Sequence, residues 1–252
     1  MKISVVNRTT KLTDASVRRA IEAINRQFAE HFEPHWQFGA RLRLDNDDER
    51  DQRRDHVEGR NLVGRLGEAV LYLLDEPTIS GAEGFHDRNK GDMPYGFVFL
   101  DVCEAVGDPW SVALSHEAIE LVGDPMNNLL VQGPHPEDGR HLVFHMFELC
   151  DAVQSQSYEI DDIAVSNFVL PGYFTRGEAE GRANDFLGRR REDLSLRSFD
   201  LAPGGYICFY DGLRNGDKWH PFTRPDDDVA RRRLDVKQTA GQGRIGRRCC
   251  TR

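Results

Sequence analysis

Residues Ser115 to Pro125 read SHEAIELVGDP. At about 100° per residue, His116 and Glu120 project from one face of a helix, one turn apart, with Glu117 at the edge of the same arc. An imidazole and a carboxylate at i and i+4 can grip one divalent cation, and the residue after the first ligand then stands where it can take a proton from water on that ion. The spacing predicts His116 and Glu120 as metal ligands and Glu117 as general base. Zn2+ is the default ion, and an oxygen-preferring ion such as manganese suits a donor set with more carboxylates. The same three residues would also make the wetted face of an ordinary amphipathic helix. HExxE is the weaker signature beside HExxH, because glutamate is common on helix surfaces.

The helix that must carry them is predicted from about Pro109 to Val122. Val112, Leu114, Ala118, Ile119, Leu121 and Val122 leave only a narrow polar window, so it should be buried on most sides. Asp108 can cap it with Pro109 at the first position, and Gly123 and Pro125 end it. A third ligand has to come from elsewhere. FELCD offers Glu148 and Asp151, and Asp124, His86 and His145 are further candidates. In a strand Glu148 and Asp151 point to opposite faces, so both reach one ion only if the segment turns. Ser115 precedes His116 directly, and neighbouring helical residues do not face each other as nucleophile and base must, which argues against a serine hydrolase built on this pair. GRNLVGRLGE lacks the Lys-Ser/Thr ending of a phosphate loop.

Around that helix the pattern predicts a strand at Ile3–Asn7, a helix capped by Thr13 or Asp14 and ended by Pro34, and a strand over Trp36–Leu44. Asp45–Arg60 is nearly all charged and reads as a solvated insertion. A buried strand follows at Glu68–Pro77, a short exposed edge strand at Gly84–His86, and another strand at Tyr95–Cys103. Beyond the metal helix come an apolar stretch at His141–Val153 (strand or helix), a hairpin and turn over Tyr158–Phe174, and a late strand in Pro203–Gly212 with Asp217–Phe222 as its partner. The fold class is mixed α/β (α+β).

The succession strand, helix, strand, strand, edge segment, strand and H-E helix resembles the upper half of a zincin metallopeptidase. The resemblance implies a mixed twisted sheet with an N-terminal helix and an active-site helix, followed by a β-rich C-terminal part. It also implies that the edge segment, here GAEGFHD, binds extended peptide beside the metal by strand addition. Gly123 stands where the metzincin subgroup has its helix-ending glycine. Glu120 and Met126 depart from that subgroup's second and third ligands, and Glu148 suits a gluzincin-like third ligand. NFVLPGYF would floor the pocket as a Met-turn does. SVVNRTTKL, GFHD, PYGFVF, SHEAIELVGDP, ELCDAV, YEIDDIAVSNFVLPGYF and GGYICFYDG together resemble an uncharacterised protein family of bacteria and their phages, across most of residues 1–219. That likeness implies a zincin-like domain and no particular activity.

The chain has 252 residues, 39% of them hydrophobic, and a net charge of −9, enough apolar material for a substantial core and no overall pull toward nucleic acid. From Ala230 to Arg252, seven Arg and one Lys stand against one Asp, which predicts a basic, disordered tail over 223–252 after a domain spanning 1–222. That tail is the only part expected to meet nucleic acid or an acidic partner. Five cysteines without a CxxC pair point to a reducing compartment. The N-terminus lacks a signal-peptide stretch, and no run approaches the ~20 apolar residues of a membrane span. The expected protein is a metal-dependent hydrolase, a metallopeptidase acting on peptide or protein, in the cytoplasm or on a virion if phage-borne. The alternative is a catalytically inactive zincin-like structural or interaction protein of phage or prophage origin.

Overall fold

The run KISVVN forms strand β1, Lys2–Asn7, in a computed structural model that describes residues 1–46, 68–77, 83–89, 91–176, 183–190, 196–213 and 219–231. Thr13 caps helix α1, Asp14–Arg26, its side chain accepting from the Ser16 amide. Val17, Ala20, Ile21 and Ile24 form the buried stripe. The helical run does not stop at Pro34. It passes through a π-helical stretch, Gln27–Phe32, into α2, Glu33–Trp36. Pro34 sits in the first turn of α2, where a missing amide hydrogen does no harm. Gln37 closes the run in the left-handed conformation, φ 61°. The strand expected from Trp36 therefore begins later, as β2, Arg41–Leu44.

Strands β3, Ala69–Leu74, β4, Gly84–Arg88, and β5, Pro94–Phe99, complete a five-stranded sheet in the order β2-β1-β3-β5-β4. All neighbours run parallel except β4, which is antiparallel to β5 at one edge. Parallel strands are covered on both faces, which is why AVLYLL and PYGFVF are unbroken apolar runs. The strand expected over Tyr95–Cys103 ends at Phe99. Leu100–Val106 winds into α3, closed by Gly107 at φ 80°. Helix α4, Trp110–Gly123, follows, with an extended Pro109 in the cap position that the sequence assigns to Asp108. Gly123 is its last helical residue, and Pro125 cannot continue the ladder. α4 packs against β5 and β4.

Over the stretch the sequence treats as one domain, Cα proximity groups the chain into two compact units. The first holds the described residues of Met1–Thr78, Ala82–Asn127 and Glu159–Val165, and the second those of Asn128–Tyr158 and Ser166–Arg252. In the second, β6, Leu130–Pro134, β7, Leu142–Met146, β10, Ile207–Tyr210, and β11, Trp219–Phe222, make an antiparallel sheet in the order β11-β10-β7-β6. Strands β8, Ser157–Ile160, and β9, Ile163–Ser166, form the expected hairpin. Pro171–Phe174 is a 3-10 turn, and α5 spans Phe186–Arg190. Tyr206, Met146 and Cys208 pack together with Trp219 against them, so the two aromatics serve as packing residues.

The architecture is thus mixed α+β, with several sheets and few helices. Residues 223–231 are placed: Asp227 accepts from the Gly204 and Ala230 amides, and Ala230 is buried. The charged insertion over 47–60 and the basic stretch from 232 onward lie outside the described residues. Among the described residues no helix is long and apolar enough to cross a membrane.

Candidate metal centre

α4 is buried around its circumference from Ser111 to Gly123, with His116 5%, Glu117 4% and Glu120 0% exposed. The wetted-face reading of HEAIE fails on that observation. Leu114, Ala118, Ile119 and Leu121 are fully buried and draw the helix inward, since burying a leucine or isoleucine side chain contributes about 1.5–3 kcal/mol. Burying charged groups opposes this by several kcal/mol per ion unless partners compensate. The polar residues of α4 therefore need close partners, and β4 brings one.

His86, at the third position of β4 and fully buried, directs Nδ1 to Glu117 Oε2 at 3.4 Å and to Glu120 Oε2 at 3.7 Å. His116 Nε2 lies 3.2 Å from the same Glu120 oxygen. Glu120 Oε2 thus stands between two imidazole nitrogens. Donors bonded at about 2.0–2.1 Å to one tetrahedral ion sit about 3.3 Å apart, and each imidazole taken singly stands near that spacing from Glu120 Oε2.

The backbone explains how the groups meet. His86 pairs with Gly96 of β5, and Asn127 Nδ2 donates to its carbonyl at 3.4 Å. Two residues earlier, Gly84 leaves room for a side chain from the helix. A Cβ there would lie 2.8 Å from Glu117 Cγ and 2.8 Å from the Phe97 carbonyl oxygen. Ser115 Oγ donates to Gln27 Oε1 at 2.8 Å, tying α4 to the π-helical stretch. Cys103 of α3 is buried, and burial first, then the Glu83 and Asp108 charges, push its thiol far up. It stays an inert thiol at neutral pH.

Comparison of the chain with family models, with curated proteins and with solved structures finds no match.

Of the residues the sequence singles out, His116, Glu117 and Glu120 come together in the first unit, joined there by His86. Asp124 is buried just beyond α4, its carbonyl accepting from the Asn127 amide at 3.0 Å. Glu148 and Asp151 belong to the second unit, 6% and 2% exposed, and line a small cavity there with His145, Tyr173 and Phe199. Their segment does turn: β7 ends at Met146 and a 3-10 turn, Asp151–Val153, opens at Asp151. His145 of that unit directs Nε2 to the Pro134 carbonyl at 2.9 Å, and burial pulls its pKa down to about 4. It is a neutral donor to that carbonyl at ordinary pH. The sequence names His86 only as one candidate among several, because 31 residues separate it from Glu117 and no local period links them.

Proposed function

We propose that the first unit is a zincin-like, metal-dependent hydrolase domain acting on peptide bonds. His86, His116 and Glu120 would hold the ion, and Glu117 is the general base. The observation that carries this reading is the convergence of His86 Nδ1 and His116 Nε2 on Glu120 Oε2, at 3.7 and 3.2 Å, in a buried setting. Two imidazoles and a carboxylate fit Zn2+ by donor chemistry, and one shift of the His86 or His116 ring would have to bring both nitrogens to the ion beside Glu120 Oε2. When bound, the ion supplies Lewis acidity, polarising a carbonyl and acidifying water.

The chain's own residues do the rest. Glu117 accepts the proton of the attacking water and hands it to the leaving amine. Gly84 gives the Glu117 side chain its place beside β4. β4 ends the five-stranded sheet among the described residues, and an edge strand offers its outer amides and carbonyls to an extended peptide. A substrate strand paired there runs past Gly84 and His86, beside Glu117. This supports a peptide over a compact ester as substrate. An imidazole ligand from the edge strand departs from the zincin pattern, which keeps that strand for substrate. The buried thiols of Cys103, Cys150 and Cys208 support a reducing, cytoplasmic setting, or a virion if the chain is phage-borne.

The test is elemental analysis of the purified full chain together with digestion of a peptide library by the wild type and by Glu117→Gln. Both proteins should hold metal, and only the wild type should cleave. Metal in both, cleavage by neither and unfolding on chelation would mark an inactive structural protein and overturn the hydrolase reading. A wild type that takes up no metal on reconstitution would overturn the centre itself.

A further inference from the structure

The second unit carries a cluster that this hydrolase reading does not use. HPEDGRH, His135 to His141, joins β6 to β7. The His135 amide donates to the His141 carbonyl at 2.9 Å, and the Gly139 amide donates to the His135 carbonyl at 2.8 Å, with Gly139 at φ 61°. Because Pro134 pairs with Leu142, His135 and His141 are the next opposed residues, and their ring centroids lie 4.8 Å apart. β10 flanks β7 on its other side, with Tyr210 opposite Phe144. One step further along that register, Asp211 falls beside Val143, on the sheet face that His135 and His141 share. His141 Nε2 is 2.9 Å from Asp211 Oδ2, and His135 Nε2 is 3.8 Å from the same oxygen. One donor atom from each of the three residues lies within 4.8 Å of the others.

We infer that His135, His141 and Asp211 form a second divalent-metal site, which clamps the tip of the β6–β7 hairpin to the end of β10. A simple ion pair accounts for His141 and Asp211, but not for His135, whose 3.8 Å separation is too long for a hydrogen bond. A shared cation accounts for all three, since it needs donor atoms near one another rather than in hydrogen-bond contact. The ring orientations agree. Both imidazoles turn Nε2 toward Asp211, and Asp138 Oδ1 lies 3.7 Å from His135 Nδ1 and 3.9 Å from His141 Nδ1. Asp138 thus stands on the Nδ1 side of both rings, beyond hydrogen-bond reach, where a small movement would let it take the Nδ1 proton of a metal-bound imidazole. The Glu137 amide donates to His135 Nδ1 at 3.3 Å; ligation through His135 Nε2 puts the ring proton on Nδ1 and gives up that contact. Two nitrogens and one oxygen suit Zn2+ and its transition-metal neighbours, not calcium or magnesium, which take oxygen donors. His141 is partly exposed, at 19% of its side chain, so an ion can enter from solvent.

The test titrates the full chain with Zn2+ against a chromophoric chelator. Wild type should bind one equivalent more than His141→Ala or Asp211→Asn, and the first-unit double variant His116→Ala/Glu120→Gln should retain that equivalent. Equal stoichiometry and affinity in wild type, His141→Ala and Asp211→Asn would overturn the inference, as would a double variant that binds no Zn2+. If His141→Ala fails to fold, the double variant decides alone. Loss of the first-unit equivalent with retention of this one separates the two sites.

Discussion

On α4, His116, Glu117 and Glu120 stand within little more than one turn of a single helix, and one strand adds His86. In the second unit, His135 and His141 come from the two ends of a hairpin loop and Asp211 from the end of a third strand. The donors are alike, and the construction is opposite. A helix sets the direction of its side chains by its own pitch, so the first cluster is mostly local. The second is held by register, and a slip of one residue along β7 would carry His141 to the opposite face. Similar sets of side chains can thus be gathered mostly by one rigid helix or by the agreement of three separate segments.

The comparison breaks hardest at the proton acceptor, which only the first cluster is assigned. Glu117→Gln should lower kcat/KM on a cleaved peptide by about 10²–10⁴-fold, the usual worth of a general base, with zinc stoichiometry unchanged. A drop of less than about 5-fold would be too small for that role.

The next effect belongs to the second unit. Burial holds the folded His145 near pKa 4, against 6.5 for an ordinary imidazole. Between those values the unfolded chain binds a proton that the folded one refuses, so stability rises with pH across that window and is lost as pH falls toward 4. The loss at the acid end amounts to roughly 3 kcal/mol. Denaturant melts at pH 7 and pH 4.5 should show it, and His145→Gln should flatten the dependence. An unchanged slope in that variant would place the acid sensitivity elsewhere.

A smaller effect returns to the first unit. Gly84→Ala places a methyl 2.8 Å from Glu117 Cγ and the Phe97 carbonyl oxygen, an overpacking worth about 1–3 kcal/mol. It should destabilise the chain and reduce turnover together, read by thermal melts beside the peptide assay, while the His135, His141 and Asp211 equivalent of zinc stays. The smallest is Thr13→Ala, which removes the α1 cap and should cost about 1 kcal/mol with kcat unchanged. A loss of turnover there would mean that the first cluster depends on distant parts of its unit more than its helical construction implies.

Much of the first unit is legible in the primary structure. The helical spacing of apolar residues marks α1, the Pro109 start and the Gly123 and Pro125 stop mark α4, and the unbroken runs mark β3 and β5, because a covered parallel strand has no polar face. The misreadings have definite causes. Pro34 reads as a stop, but a proline is tolerated once a π-helical stretch has begun a fresh first turn. YGFVFLDVC reads as one strand because the residues of β5 and the buried side of α3 are equally apolar, and no turn residue separates Phe99 from Leu100.

What the sequence determined by itself is what short-range geometry controls. That includes a helix over HEAIE, three polar side chains on one arc of it, and apolar strands before it. Only the tertiary structure decided that this arc is buried, that His86 meets Glu117 and Glu120, and that His135, His141 and Asp211 share one sheet face. Those facts depend on which strand lies beside which and in what register. Packing across the whole chain sets that pairing, and no window of a few residues contains it.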